Sequence, residues 1–467
     1  MDRITHTFES LQDEYFRERR NDIVEVGNKI LRHLLGKSEK KIAQIDSECI
    51  VVAHNLLPSD TLALKTDLIR GFAIDVGGKT SHTALLAQGL EIPAVVGLKD
   101  ITAQVKSNQT IIIDGSQGIV ILDPDKIASE NYRREREIQT REKQELIKLR
   151  NLPAITLDEK RIEVAANIES SEDVKAVHSY GGEGIGLFRT EYLFLNRTEL
   201  PTEDEQYEHY SRVAKQMMPY HTIFRTLDIG GDKLAPFIDG YAVESNPFLG
   251  LRALRFCLKY PEIFKVQLRA LLRASVDGKV RIMFPMVSGV QEFLQGKEIL
   301  EMVKKELIQE KIPVASKIEV GAMIEVPSAA LTADLLAQEA EFFSIGTNDL
   351  IQYTLAVDRV NENVASLYEP MHFAILRLVK MVADSAHKHG RWVGMCGEMA
   401  SDTHFTQLLL GLGLDEFSVV PSFVPKLKKI IRSTNLSEAK QMVTEIMTAP
   451  NFNVAQERLN KIKLSLV

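Results

Sequence analysis

The stretch Phe342-Phe343-Ser344-Ile345-Gly346-Thr347-Asn348-Asp349 decides the fold. A short apolar run suits a buried strand, and a glycine ends it ahead of polar side chains. The stretch Ala322-Met323-Ile324-Glu325-Val326-Pro327 has the same form, an apolar run closing on a carboxylate. Working outward, eight such runs lie near 163–168, 185–188, 222–226, 281–284, 320–324, 342–345, 392–395 and 416–418, each separated from the next by helical stretches. This alternation predicts a TIM-type (β/α)8 barrel. Polar residues recur where the runs end. Arg189 and Glu191 follow the second run, Arg225 and Asp228 the third, Glu325 the fifth, Asn348 and Asp349 the sixth, and Cys396 and Glu398 the seventh. Side chains just past barrel strands belong to the catalytic face.

Upstream the texture changes. Between about 49 and 124, the short runs Ile50-Val51-Val52-Ala53, Gly71-Phe72-Ala73-Ile74, Ala94-Val95-Val96 and Ile111-Ile112-Ile113 alternate with small-residue turns, which predicts a small swivelling α/β domain. Within it stands Gly77-Gly78-Lys79-Thr80-Ser81-His82-Thr83. Thr80 and Ser81 are capping residues, so His82 falls in a helix's first turn. A helix start favours an anion and disfavours a proton on imidazole, which leaves a neutral nucleophile able to carry a phosphoryl group. A histidine beside a cap with no chemistry is the alternative. Residues 125–150 hold Arg133-Arg134-Glu135-Arg136-Glu137 and no Gly or Pro, so they read as a long solvated connecting helix ended by Leu152-Pro153. Residues 8–35 read as a further helix, stopped at Gly36, with an apolar face that needs a partner. The multidomain α/β organisation is therefore 1–36 helical, 37–124 swivelling, 125–152 linker helix and 153–467 barrel.

Bulk properties narrow the class. A chain of 467 residues needs two or three domains. With 57 basic and 64 acidic residues, the net charge of −7 carries no nucleic-acid footprint. Cys49, Cys257 and Cys396 are far apart, which speaks against a disulfide framework and for a reducing compartment. No apolar run has membrane-span length, and the first residues lack a signal-peptide core. The expectation is a soluble cytoplasmic protein.

The strand-end residues suggest a chemistry. Glu325 and Asp349, from neighbouring runs, suit Mg²⁺, which binds through one or two carboxylates and keeps places for substrate oxygens. The alternative is two carboxylates that merely cap loops. No His or Cys pair at metal spacing points to zinc. Arg189, Arg225, Arg252 and Arg359 offer planar forks matched to phosphate and carboxylate, although each alone could be a surface ion pair. Arg252 is the weakest on pattern, because it sits in a helix-like stretch after Asn246-Pro247-Phe248-Leu249-Gly250. Cys396, between glycines in Gly394-Met395-Cys396-Gly397-Glu398, could exchange a proton with a substrate carbon or simply fill a buried space. Lys233 could contact phosphate or cover a loop.

Together these segments resemble enzyme I of the sugar phosphotransferase system, the phosphoenolpyruvate–protein phosphotransferase family. The likeness rests on Gly-Gly-Lys-Thr-Ser-His-Thr around His82, Gly-Leu-Phe-Arg-Thr-Glu at 186–191, Arg-Thr-Leu-Asp-Ile-Gly-Gly-Asp-Lys at 225–233 and Asn-Pro-Phe-Leu-Gly-Leu-Arg at 246–252. Further motifs are Phe-Phe-Ser-Ile-Gly-Thr-Asn-Asp-Leu at 342–350, Gln-Tyr-Thr-Leu-Ala-Val-Asp-Arg at 352–359 and Gly-Met-Cys-Gly-Glu at 394–398. The histidine and barrel motifs are shared with pyruvate phosphate dikinase and phosphoenolpyruvate synthase, but 467 residues leave no room for those enzymes' nucleotide-binding domain. The resemblance implies that His82 is phosphorylated through Nε2, with Thr61 near its ring. It implies that Arg189, Arg225, Arg252, Arg359, Asn348 and Asp349 meet phosphoenolpyruvate, and that Glu325 and Asp349 ligate Mg²⁺. Cys396 then protonates the enolate carbon to give pyruvate, the phosphoryl group passes to the carrier protein HPr, and the barrel domain forms a homodimer. Two departures stand out. Lys79 replaces an arginine common in the family. Family members also carry about a hundred further N-terminal residues, most of an HPr-docking helical domain. The competing expectation is therefore a truncated, non-catalytic or regulatory phosphoenolpyruvate-binding relative that cannot dock HPr.

Overall fold

The computed structural model describes residues 45, 47–56, 68–77, 83–84, 87, 92–195, 197, 199–230, 244, 246–359, 361 and 363–465. The helix expected over 8–35, and Thr61, Lys79, His82 and Lys233, lie outside these residues. The chain divides into two compact units, Met1–Thr140 and Arg141–Val467.

In the first unit, β1 (Cys49–Ala53), β2 (Ile69–Ile74) and β3 (Ala94–Val95) form a parallel sheet in that order. Leu56, Ile69, Phe72, Ile74 and Ala87 form its buried core. A hairpin of β4 (Ile111–Asp114) and β5 (Ile119–Leu122) follows. Thr83, the last residue of the His82 motif, and Ala84 and Ala87 beyond it are helical. Beyond the hairpin, Asp125 caps a helix over Lys126–Leu149, where its Oδ1 accepts from Ala128 N–H at 2.7 Å. The charged sequence leaves most of this helix in solvent, and the division between the units falls within it.

The second unit is a closed parallel barrel. Its strands are β6 (Glu163–Ile168), β7 (Ile185–Arg189), β8 (His221–Arg225), β9 (Lys279–Phe284), β10 (Glu319–Ile324), β11 (Phe342–Ile345), β12 (Trp392–Met395) and β13 (Glu416–Val419). They pair in chain order, and β13 closes onto β6. All eight runs read from the sequence become strands, within a residue or two of the expected bounds. Both faces of each strand are covered, so the runs are almost continuously apolar. Inside, Leu187, Ile223, Met283, Met323, Phe342 and Cys396 pack together. Outside, the larger core joins strands to the helical ring.

Two devices fix the frame. Lys428, buried, donates from Nζ to the carbonyl of Arg150 at 2.9 Å and lies 3.2 Å from Glu183 Oε1. Arg432 donates to Pro153 O at 2.8 Å. These bonds tie the exit of the long helix to the barrel helix Val424–Ser433. Gly181 ends the helix Val174–Tyr180 at φ 74°, and a Cβ there would stand 1.9 Å from Arg150 O, so both conformation and space require glycine.

At the N-terminal end of the barrel, the first residues of β6, β8 and β13 meet. His221 Nδ1 lies 3.1 Å from Glu163 Oε1, and Nε2 lies 3.2 Å from Glu416 Oε2. Nearby, Arg281 pairs with Glu319 at 2.6 Å and lies 5.0 Å over the ring of Trp392, which stacks on Phe342 at 4.7 Å. Burial opposes a charged imidazole, but the two carboxylates outweigh it and hold His221 up at about 9. It is therefore an imidazolium at neutral pH, bridging two acids. Carboxylate, imidazole and carboxylate form the one cluster of three metal-ligating side chains that close together among the described residues, yet both ring nitrogens already face a partner.

Candidate active site

The opposite end of the barrel carries the strand-end residues singled out above. They line a cavity of about 370 Å³, open to solvent. Arg189, Arg225, Arg252, Glu325, Asn348, Asp349, Arg359 and Cys396 all border it. The barrel brings them together because each parallel strand ends at the same face, so residues far apart in the chain share one mouth.

Arg225, the last residue of β8, is 12% exposed at its side chain. Its Nη2 donates to Glu191 Oε1 at 2.6 Å, and its Nη1 lies 2.8 Å from Asp228 Oδ2. Arg252 stands at the cap position ahead of the helix Ala253–Lys259, not within it. A backbone bridge to Gly230 carries it to the mouth. Its Nη2 donates to Asp228 Oδ1 at 2.9 Å and lies 3.8 Å from Asp349 Oδ2. Burial disfavours both guanidinium charges, but the surrounding acids more than offset this and push both above the ordinary arginine value. The Nε atoms of Arg225 and Arg252 are buried and have no hydrogen-bond acceptor among the described residues. A buried donor without an acceptor costs about 1–3 kcal/mol, so this cavity is suited to receive an anion.

The acids are set differently. Glu325, the residue after β10, is buried, and its Oε1 accepts from Met286 N–H at 2.6 Å. Burial, then the charges of Asp228 and Asp349, push it up to about 8. Burial also raises Asp349, against the pull of Arg252. Two oxygen-donor carboxylates that resist ionisation side by side are matched to a hard divalent cation, whose charge would relieve both. Mg²⁺ therefore fits the donor set. Asn348 and Arg359 form the other wall: Asn348 Nδ2 and Arg359 Nη1 each donate to Glu398 Oε1 at 3.0 Å. Arg189 is the most exposed of the arginines facing the cavity and pairs with Glu169 at 2.6 Å.

Cys396 follows β12. Burial raises its thiol to about 11, so it is protonated at neutral pH. Its backbone is pinned by Asn167, whose Nδ2 donates to Cys396 O at 3.0 Å. All three cysteines are free thiols.

Sequence reasoning gave no role to Glu191, Asp228, Glu398 or Tyr353. The first three were visible as polar residues past strands, but their pairing depends on distances across the barrel mouth. Tyr353 lies on the helix Thr347–Leu355 and donates its hydroxyl to Phe248 O at 2.5 Å, steadying the segment before Arg252.

A barrel with this cavity defines a class. Residues 143–436 match the PEP-binding domain of PEP-utilising enzymes, and residues 45–118 match the mobile domain of the same enzymes. Curated relatives narrow it further. The phosphoenolpyruvate-protein phosphotransferase of Staphylococcus carnosus is 49% identical over 93% of this chain and 76% of its own. That of Priestia megaterium is 48% identical over 94% of this chain and 77% of its own. That of Listeria monocytogenes is 48% identical over 96% and 78%. The chain belongs to the phosphoenolpyruvate-protein phosphotransferase family, the enzymes I.

Proposed function

We propose that this protein moves the phosphoryl group of phosphoenolpyruvate onto its own His82 and then onto HPr, releasing pyruvate. The observation that carries the reading is the convergence of two nearly buried guanidinium groups, each with a buried and unanswered Nε–H, on two carboxylates at the mouth of the barrel. Phosphoenolpyruvate has a phosphate and a carboxylate, and the cavity offers donors for both. Arg189, Arg225, Arg252, Arg359 and Asn348 bind and orient it; Glu325 and Asp349 would hold Mg²⁺. The chemistry supplied on binding that ion is neutralisation of the charge shared between phosphate and departing enolate.

Cavity and chain then divide the work. His82 Nε2 attacks phosphorus, a P–N bond forms, and the P–O bond to the enolate breaks. The protonated thiol of Cys396 gives its proton to the enolate carbon, which yields pyruvate and leaves a thiolate to be reprotonated from solvent. The buried arginines do not lose their charge at any working pH. The phosphohistidine is then consumed by HPr.

A cytoplasmic homodimer, joined through the barrel, is part of the same reading. It is supported by family membership and by three free thiols, which accord with a reducing compartment. Among the described residues, no helix is long and apolar enough to cross a membrane.

Phosphoenolpyruvate labelled with ³²P tests the proposal. With Mg²⁺ the wild type should take up acid-labile label and pass it to added HPr; His82→Ala should take up none. Acid-stable label, or label persisting in His82→Ala, contradicts a phosphohistidine. Labelled protein that does not discharge to HPr favours a regulatory relative.

A further inference from the structure

Asp228 has no part in the scheme above, although it lines the cavity between two of its arginines. Its side chain is 4% exposed, and it is shared. Oδ2 lies 2.8 Å from Arg225 Nη1, and Oδ1 lies 2.9 Å from Arg252 Nη2. The outer arms are held as well. Arg225 Nη2 meets Glu191 at 2.6 Å, and Arg252 Nη1 meets the Tyr353 hydroxyl at 3.4 Å. Both terminal nitrogens of each arginine are thus engaged by the protein, and each Nε–H is left without an acceptor among the described residues. Arginine side chains carry several rotatable bonds, and holding two in one geometry costs entropy unless something else fixes them. One carboxylate gripping both sets their spacing before any ligand arrives.

We infer that Asp228 is a positioning residue: its carboxylate spaces the guanidinium groups of Arg225 and Arg252 so that their free donors converge on one anionic substrate. This rests on the reading of the cavity as a phosphoenolpyruvate site. It makes a prediction opposite in sign to the simplest electrostatic view. Asp228 is a negative charge beside Glu325 and Asp349, and it disfavours ionisation of both. As a bare charge it repels an incoming anion, and its removal tightens binding. As a spacer, its removal loosens binding.

The test compares wild type, Asp228→Asn and Asp228→Glu as full chains. Phosphoenolpyruvate binding with Mg²⁺ is measured by calorimetry, KM and kcat by pyruvate release, and folding by Trp392 fluorescence. Loss of one charge-assisted grip predicts a Kd and KM raised ~10-fold or more in Asp228→Asn. Asp228→Glu keeps the charge but displaces the carboxylate by one methylene. It should still fold, less stably than wild type because of the added methylene, and still show a KM raised by roughly 10-fold. Binding as tight as wild type in both variants, or tighter in Asp228→Asn, overturns the inference. Full recovery in Asp228→Glu overturns it too, because charge alone would then suffice. Should Asp228→Asn fail to fold, Asp228→Glu and Glu191→Gln decide, the latter with KM up about 3-fold because Asp228 still holds Arg225. Unchanged KM in both is contrary to the inference. If wild type itself neither binds phosphoenolpyruvate nor releases pyruvate, the reading of the cavity fails instead.

Discussion

Replacing His221 together with Glu416 by Gln should remove an alkaline weakness built into the base of the barrel. In the folded protein His221 is held at about 9 by Glu163 and Glu416, against an ordinary value of 6.5. The folded state therefore binds a proton that the unfolded state has released between those values. A raised cation pKa contributes stability that is complete below 6.5 and is lost as pH climbs through 9. Two and a half units at 1.36 kcal/mol each give a loss of about 3 kcal/mol across that window. The window is shared with Glu325. Its folded value of about 8, against 4.5, makes stability fall between pH 4.5 and 8. That slope is common to wild type and variant, so it cancels in their difference. The assay is urea unfolding at half-unit steps from pH 6 to 9.5, followed by the fluorescence of Trp392. This is the chain's single tryptophan and stacks at the barrel base, so its signal belongs to the barrel. Burial raises Glu416 as well, and without the imidazolium that acid would take up a proton in its place, so the comparison is made with His221→Gln/Glu416→Gln. This variant should be the weaker protein at pH 6, and the gap should close as pH rises. A gap that stays constant from pH 6.5 to 9 would refute the argument, because the imidazolium would then contribute nothing that titrates.

Two further changes probe the mouth of the barrel. Cys396→Ser should lower kcat for pyruvate formation while leaving phosphoenolpyruvate affinity within about 3-fold, since the thiol is assigned to proton delivery and not to binding; equal losses in both, seen by calorimetry beside the turnover assay, would remove it from that role. Glu325→Gln should abolish turnover and the response to Mg²⁺ together, and it should raise barrel stability above pH 5 by removing a carboxylate that burial pushes up to about 8; retained Mg²⁺ dependence would exclude Glu325 as a ligand.

The barrel was legible because its strands are buried on both faces and therefore read as apolar runs, from Glu163–Ile168 to Glu416–Val419. The polar residues after those runs were equally legible, and Arg225, Glu325 and Asp349 reach the cavity as their positions imply. Arg252 was harder. A helix-like pattern surrounds it, and only the backbone bridge to Gly230 and the grip of Asp228 place it at the mouth. Pairings that join distant strands left no local trace. Asp228 looked like one more strand-end acid, Glu163 and Glu416 looked like ordinary strand starts, and His221 stood one residue ahead of the run that became β8. Sequence periodicity reports which face a residue takes, but not which residue from another strand stands opposite it.

The most direct measurement is a difference map from crystals soaked in phosphoenolpyruvate and Mg²⁺. The account predicts ligand density in the barrel cavity, with phosphate or carboxylate oxygens against Arg225 Nε and Arg252 Nε and the ion on Glu325 and Asp349. An empty cavity with phosphoenolpyruvate bound elsewhere on the protein would contradict it.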